Sequence, residues 1–308
     1  MKMFLNGALA TVSLAAALSL AGISSSAHAT PAAAAATSAP VERTRLTVTV
    51  VGSGPDIILI PGLASPRAVW DRTVEQLKAR YRLHLVQIRG FGDDAGANAS
   101  GPVLDPFVDD VAGYIREAGL TRPAVIGHSM GGLTAAMIAA RYPDLLGRVL
   151  IEDSLPFIGL IFSPMATVDA VRPQADALLK AALAKGPQPP SPQDPTLAIM
   201  SATEAGRAQV MAWSATADHR VTAQVFHDVL LTDIRPDLGR ITTPVTVLYP
   251  YDPVVGPVEY VDALYAGAYK GLRGANLQRI DASRHFIMLD QPERFAAAVD
   301  DFLQGYGG

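Results

Sequence analysis

The chain has 308 residues, 49% of them apolar and 18% charged, with a net charge of −4 and no cysteine. That composition supports a large packed core and excludes a wholly disordered chain, a disulfide framework and any zinc site built on thiolates. The mild acidity and the lack of a basic block exclude the electrostatic footprint of a nucleic-acid binder.

The amino-terminal segment reads as a targeting signal. Lys2 precedes an alanine- and leucine-rich run over residues 8–23, and Ala27, His28 and Ala29 form the small-x-small pattern of a signal-peptidase site. The run is shorter than the ~20 residues of a spanning helix and carries Thr11, Ser13 and Ser19. Residues 1–29 are therefore expected to be a signal peptide cleaved after Ala29. That implies a periplasmic or secreted protein with no stable membrane insertion after processing. Residues 30–43 open on "TPAAAAATSAP" and read as a flexible linker.

Two strand patterns follow, at residues 46–51 and 57–60, joined by Gly52, Ser53, Gly54 and Pro55; the spacing predicts an antiparallel entry hairpin. Helical and strand patterns then alternate: helix 68–80, strand 83–88, helix 106–118, strand 124–126, helix 130–141 and strand 148–151. Such alternation predicts an α/β fold, a mostly parallel twisted sheet with helices on both faces. From 155 to about 228 no apolar strand occurs, and helical stretches at 168–184 and 203–217 flank the proline-rich "KGPQPPSPQDP". A structureless loop of that length is foreign to a compact domain, so an inserted helical cap is expected. The rhythm resumes with strand 245–249, helix 258–269, strand 277–281 and helix 292–303. The organisation is thus a first core part over 44–154, a cap over 155–228 and a second core part over 229–308.

Where strand 124–126 meets helix 130–141, Gly127, His128, Ser129, Met130 and Gly131 spell G-x-S-x-G. A sharp strand-to-helix turn exposes a serine in a strained backbone, and only small flanking residues fit around it. A serine attacks a carbonyl usefully when a base takes its proton and donors hold the oxyanion. The Pro61-Gly62 turn ends an early strand, so the N–H groups of Leu63 and Met130 are the expected oxyanion donors. His285 lies in the loop before the last helix, in "RHFIMLDQPERF", and Asp252 follows the strand at 245–249.

With these motifs in this order the chain resembles the α/β-hydrolase superfamily, in its cap-bearing serine-esterase branch, over about residues 44–308. The resemblance implies an α/β-hydrolase fold, Ser129 as nucleophile, His285 as general base and Asp252 as the acid that orients it. Asp153, after strand 148–151, is the second candidate for that acid; Asp252 is favoured because Asp153 begins the cap and could as easily tether it by a helix-capping bond. The resemblance further implies hydrolysis of a carboxylic ester through an acyl-enzyme, with no cofactor, no metal and a small-molecule ester as partner. A lactonase, a carbon-carbon bond hydrolase or a cofactor-free haloperoxidase would use the same triad, and a binding protein that has lost activity would keep only the fold. An aspartate in place of Ser129 would be needed for dehalogenase or epoxide-hydrolase chemistry. His128, Phe157 and Trp213 are candidate substrate-pocket residues, and the cap's apolar side chains suggest an apolar substrate group. Arg284 stands where many relatives have glycine and is expected to be a solvated surface residue. Trp70 is expected under the oxyanion loop, His84 in the sheet, and Asp218, His219 and Arg220 on a solvated helix edge.

Overall fold

The computed structural model describes residues 40–307. The expected signal peptide and most of the expected linker lie outside the described residues. The last linker positions belong to the fold: Val41–Glu42 is a strand, and Arg43 is ion-paired with Asp110 and Glu117.

One sheet runs through the molecule. Its strands are β1 (Val41–Glu42), β2 (Leu46–Gly52), β3 (Asp56–Ile60), β4 (Arg82–Ile88), β5 (Ala124–His128), β6 (Arg148–Glu152), β7 (Val245–Tyr251) and β8 (Asn276–Asp281), in the order β1-β2-β4-β3-β5-β6-β7-β8. The pairings β1 with β2 and β2 with β4 are antiparallel, and all others are parallel. The expected hairpin between β2 and β3 does not form, because β4 lies between them. β3 is apolar and fully buried at Ile57, Ile58, Leu59 and Ile60. A strand covered on both faces belongs between parallel neighbours, here β4 and β5, whereas β2 can close the sheet's antiparallel edge.

The helices are α1 (Asp71–Leu77), α2 (Leu104–Glu117), α3 (Met130–Arg141), α4 (Val168–Lys185), α5 (Leu197–Met200), α6 (Glu204–Ser214), α7 (His219–Leu231), α8 (Val258–Ala268), α9 (Ile287–Asp290) and α10 (Pro292–Leu303). Alternate strand residues feed two cores. Ile58, Ile60, Val125 and Val149 pack with α2, α3 and α8, while Ile57, Leu59, Ile126 and Leu150 pack with α1 and α10. The two-residue period of the strands thus places helices on both faces.

Helices α4 to α7 are the insertion between β6 and β7, and α7 continues beyond residue 228 to Leu231. Thr167, Thr203 and Asp218 cap α4, α6 and α7 with their side chains. Asp218, expected on a solvated edge, is this N-cap; its hydrogen bonds with Arg220 hold its pKa down at about 2. Two ties to the rest of the fold lie at α7. Asp228 accepts the N–H groups of Val103 (2.7 Å) and Leu104 (3.0 Å) at the start of α2. The Gly90-Phe91-Gly92 turn meets residues 217–218, where Asp218 N–H donates to Gly90 O at 2.6 Å.

Candidate active site

The carboxyl ends of β5, β6 and β8 converge with the β3–α1 loop, where an open parallel sheet places its ligands. Ser129 sits between β5 and α3 at φ 53, ψ −121, a backbone that a side chain adopts only under constraint. The constraint is visible in the flanking glycines. A Cβ on Gly127 would lie 2.3 Å from Gly131 O, and one on Gly131 would lie 2.2 Å from Ile60 O. The strand, the serine, the helix and the β3–α1 loop are thus locked together by backbone contact.

The β3–α1 loop, which carries one of the two amides expected as oxyanion donors, lies beside Ser129. Gly62 lies against the nucleophile, since its Cβ would come within 3.1 Å of Ser129 Cβ. Ser65 N–H turns back to Gly62 O at 3.3 Å, and Ala64 takes φ 54. Among the described residues neither Leu63 N–H nor Met130 N–H donates to a protein acceptor. Met130 is the first residue of α3, so its free N–H also carries the positive end of the helix dipole.

His285 is held by a carboxylate, and that carboxylate is Asp153. The distance from His285 Nδ1 to Asp153 Oδ2 is 2.6 Å. Because a carboxylate accepts, Nδ1 carries the proton and Nε2 keeps the lone pair that a base needs. Asp252, the acid expected from the sequence, faces elsewhere. Its Oδ1 accepts Val254 N–H at 2.9 Å, capping the turn Pro253–Val255, and Arg284 pairs with it at 3.4 Å. Both aspartates end neighbouring parallel strands, but Asp252 is drawn back by its own turn and by Arg284. Asp153 is free to meet the imidazole.

Arg284 is correspondingly not a solvated residue. Its guanidinium donates to Ala198 O and lies beside Asp252. The neighbouring amides of His285 and Phe286 donate to Ile199 O (3.3 Å) and Met200 O (2.9 Å). Asp290 completes the junction by accepting from Ser201 Oγ at 2.5 Å, Ala202 N–H at 2.9 Å and Arg284 N–H at 2.8 Å. Residues 198–202 of the cap are therefore laced to residues 284–286.

Of the expected pocket residues only Trp213 is partly exposed, and its ring lies 6.1 Å from Phe286, next to His285. His128 and Phe157 are fully buried. Phe157 belongs to the core, under the Arg235 guanidinium, because the chain after β6 turns inward before reaching the cap helices. His128 lies beneath the site, with Nε2–H donating to His285 O at 3.0 Å. Burial, with the neighbouring His285, pushes its pKa well below the usual histidine value and keeps it neutral. Trp70 is buried against Phe295, and His84 is a sheet residue held between Tyr114 and Asp56.

Two residues beside the site were not singled out from the sequence. Glu152, the last residue of β6, is fully buried, and its Oε1 accepts Met288 N–H at 3.0 Å. Burial pushes its carboxyl well above the usual range, against the Met288 N–H bond that favours the charged form. Tyr265 donates its hydroxyl to Asp153 Oδ1. Neither belongs to a motif, and both act at a distance in sequence.

The sequence profile of the alpha/beta hydrolase family matches residues 57–298. The chain belongs to this family. Among curated α/β-hydrolases it is 27% identical over 261 residues to pimeloyl-[acyl-carrier protein] methyl ester esterase of Nitrosomonas europaea, covering 82% of this chain and 97% of that protein. Among solved structures, this α/β-hydrolase is similar to an esterase from Exiguobacterium antarcticum, with a TM-score of 0.72, 20% identity and coverage of 88% of this chain and 100% of that one. It is also similar to the enol-lactonase from Burkholderia xenovorans LB400, with a TM-score of 0.62, 20% identity and coverage of 84% and 96%. At such identities these two likenesses show the fold.

Proposed function

We propose that this α/β-hydrolase cleaves carboxylic esters of small molecules through a Ser129–His285–Asp153 triad. The observation that carries the reading is the 2.6 Å contact from Asp153 to His285 Nδ1, which leaves the Nε2 lone pair to act as a base, while the His285 ring packs 4.7 Å from that of His128, the residue before a serine held at φ 53. Ser129 Oγ has no hydrogen-bond partner among the described residues; its bond to Nε2 is one that tightens when substrate is bound. In the attacking step Nε2 takes the Oγ proton while Oγ adds to the ester carbonyl, and the oxyanion is received by the N–H groups of Leu63 and Met130. Collapse expels the alcohol, which takes its proton from the imidazolium, and water releases the acyl group by the same two steps. The esterase similarity supports an ester as the group cleaved. Trp213 beside Phe286 supports an apolar substituent on it.

The test is a comparison of purified, folded variants on a panel of aryl esters and lactones. Ser129→Ala should abolish turnover and labelling by a fluorophosphonate. Asp153→Asn should lower kcat by up to about ten-thousand-fold by favouring the wrong histidine tautomer. Asp252→Asn should cost less than about ten-fold, because its carboxylate is spent on a turn and on Arg284. The reverse ranking of the two aspartates would show that His285 is served by Asp252 in the working enzyme.

Export remains a proposal that rests on residues 1–29. The protein recovered from a periplasmic or culture fraction should begin at Thr30 or within a few residues of it, read by amino-terminal sequencing. An intact amino terminus in the cytosolic or membrane fraction would overturn it.

A further inference from the structure

We propose that Tyr265 is a positioning residue for the triad carboxylate, its hydroxyl on α8 holding Asp153 in the orientation that His285 requires. The inference rests on the triad reading above.

Asp153 is placed where the backbone alone defines it poorly. It takes φ 42, unusual for a residue with a side chain, and the chain leaves the sheet there for the cap. Three contacts hold it. Its amide donates to Leu248 O at 2.8 Å, Oδ2 accepts His285 Nδ1–H, and Oδ1 accepts the Tyr265 hydroxyl. Tyr265 on α8 and Tyr269, which caps the helix, stand four residues apart on one face. Tyr269 donates to Ser154 O at 2.7 Å, so that face grips two consecutive residues, one by its side chain and one by its main chain.

The support is rigid. Tyr265 is buried, and its ring stacks on Tyr249 with centroids 4.4 Å apart and planes at 18°. Tyr249 is tied in turn to Asp262 at 3.0 Å. Burial and the charge of Asp153 both raise the Tyr265 pKa, so the phenol stays protonated and donates throughout the neutral range. With one oxygen given to a tyrosine and the other to the imidazole, the carboxyl group cannot rotate without losing both bonds.

Tyr265→Phe keeps the ring and its stacking and removes only the hydroxyl. It should lower kcat by about ten- to a hundred-fold, as small misplacements of a reacting group do, with KM within about two-fold and little change in Tm. The free carboxylate charge should also favour imidazolium, moving the ionisation seen in kcat/KM to higher pH. A merely structural role would move neither. In an Asp153→Asn background the same substitution should cause no further loss, because Tyr265 acts through that carboxylate. If Asp153→Asn is itself active, the triad reading falls and takes this inference with it. If Asp153→Asn is inactive while Tyr265→Phe keeps the wild-type kcat and pH profile, or loses as much again in the Asp153→Asn background, this inference alone is overturned.

Discussion

Gly131 shows how little freedom the site leaves to a single residue. A Cβ there would lie 2.2 Å from Ile60 O and 2.7 Å from Pro61 O, backbone atoms at the end of β3 and the start of the loop that carries Leu63 N–H. Gly131→Ala must therefore displace that loop. Overpacking of this kind costs about 1–3 kcal/mol of stability, and moving one oxyanion donor costs a further factor of about a hundred or more in kcat. A thermal melt and a kcat measurement check both halves; unchanged turnover in a destabilised variant would show that the loop carries no oxyanion donor. Residue-scale features of this type were legible in the sequence because they are local. The spacing in "GHSMG" specifies a backbone conformation within five residues. The choice between Asp153 and Asp252 was not legible, since Arg284, Tyr265 and the turn at Val254 bear on it, and all three lie over a hundred residues from Asp153.

At the scale of elements, the cap's segment at 198–202 braces the loop that carries His285. His285 and Phe286 pair their amides with Ile199 and Met200, Arg284 reaches Ala198 O, and Asp290 binds Ser201 and Ala202 from the start of the last helical region. Asp290→Ala would leave Ala202 N–H, Arg284 N–H and Ser201 Oγ without their acceptor. Hydrogen bonds to a charged group contribute about 1.5–3 kcal/mol each before relaxation, so α5 should loosen from the His285 loop. The expected outcome is faster amide exchange over residues 197–203 and 284–286 together, with kcat lowered by about ten-fold. Exchange that rises in the cap alone, at unchanged kcat, would mean that the base does not depend on this junction. The sequence indicated a helical insertion from the loss of strand rhythm after residue 155. It did not indicate which cap residues touch the core, because hydrophobic pattern reports burial and not partner. The same limit explains the missing hairpin: the patterns of β2 and β3 mark both as strands, and only the sheet order places β4 between them.

Over the whole molecule, two titratable groups buried on the same face of the sheet make stability depend on pH in opposite senses. His128 and Glu152 are register partners on β5 and β6. His128 is neutral when folded, so only the unfolded chain takes up its proton below the ordinary histidine value of 6.5, and stability falls as pH drops through that region. Burial raises the folded pKa of Glu152, so as pH rises above the ordinary value of 4.5 the unfolded chain releases its proton before the folded one does. Its contribution falls as pH rises from there toward its raised folded value. Above pH 4.5 the Glu152 slope opposes that of His128, and the His128 contribution levels off above 6.5. Glu152→Gln matches the neutral acid in shape and never ionises. Its Tm difference from wild type should therefore be smallest near pH 4 and should rise with pH until the raised folded value is passed, while the acid-side loss set by His128 persists in both proteins. Melts at half-unit intervals from pH 4 to 8.5 decide it. A difference that stays flat across that range would mean that Glu152 ionises inside the fold without cost, and that the carboxyl beneath Ser129 and Asp153 carries a full negative charge at neutral pH.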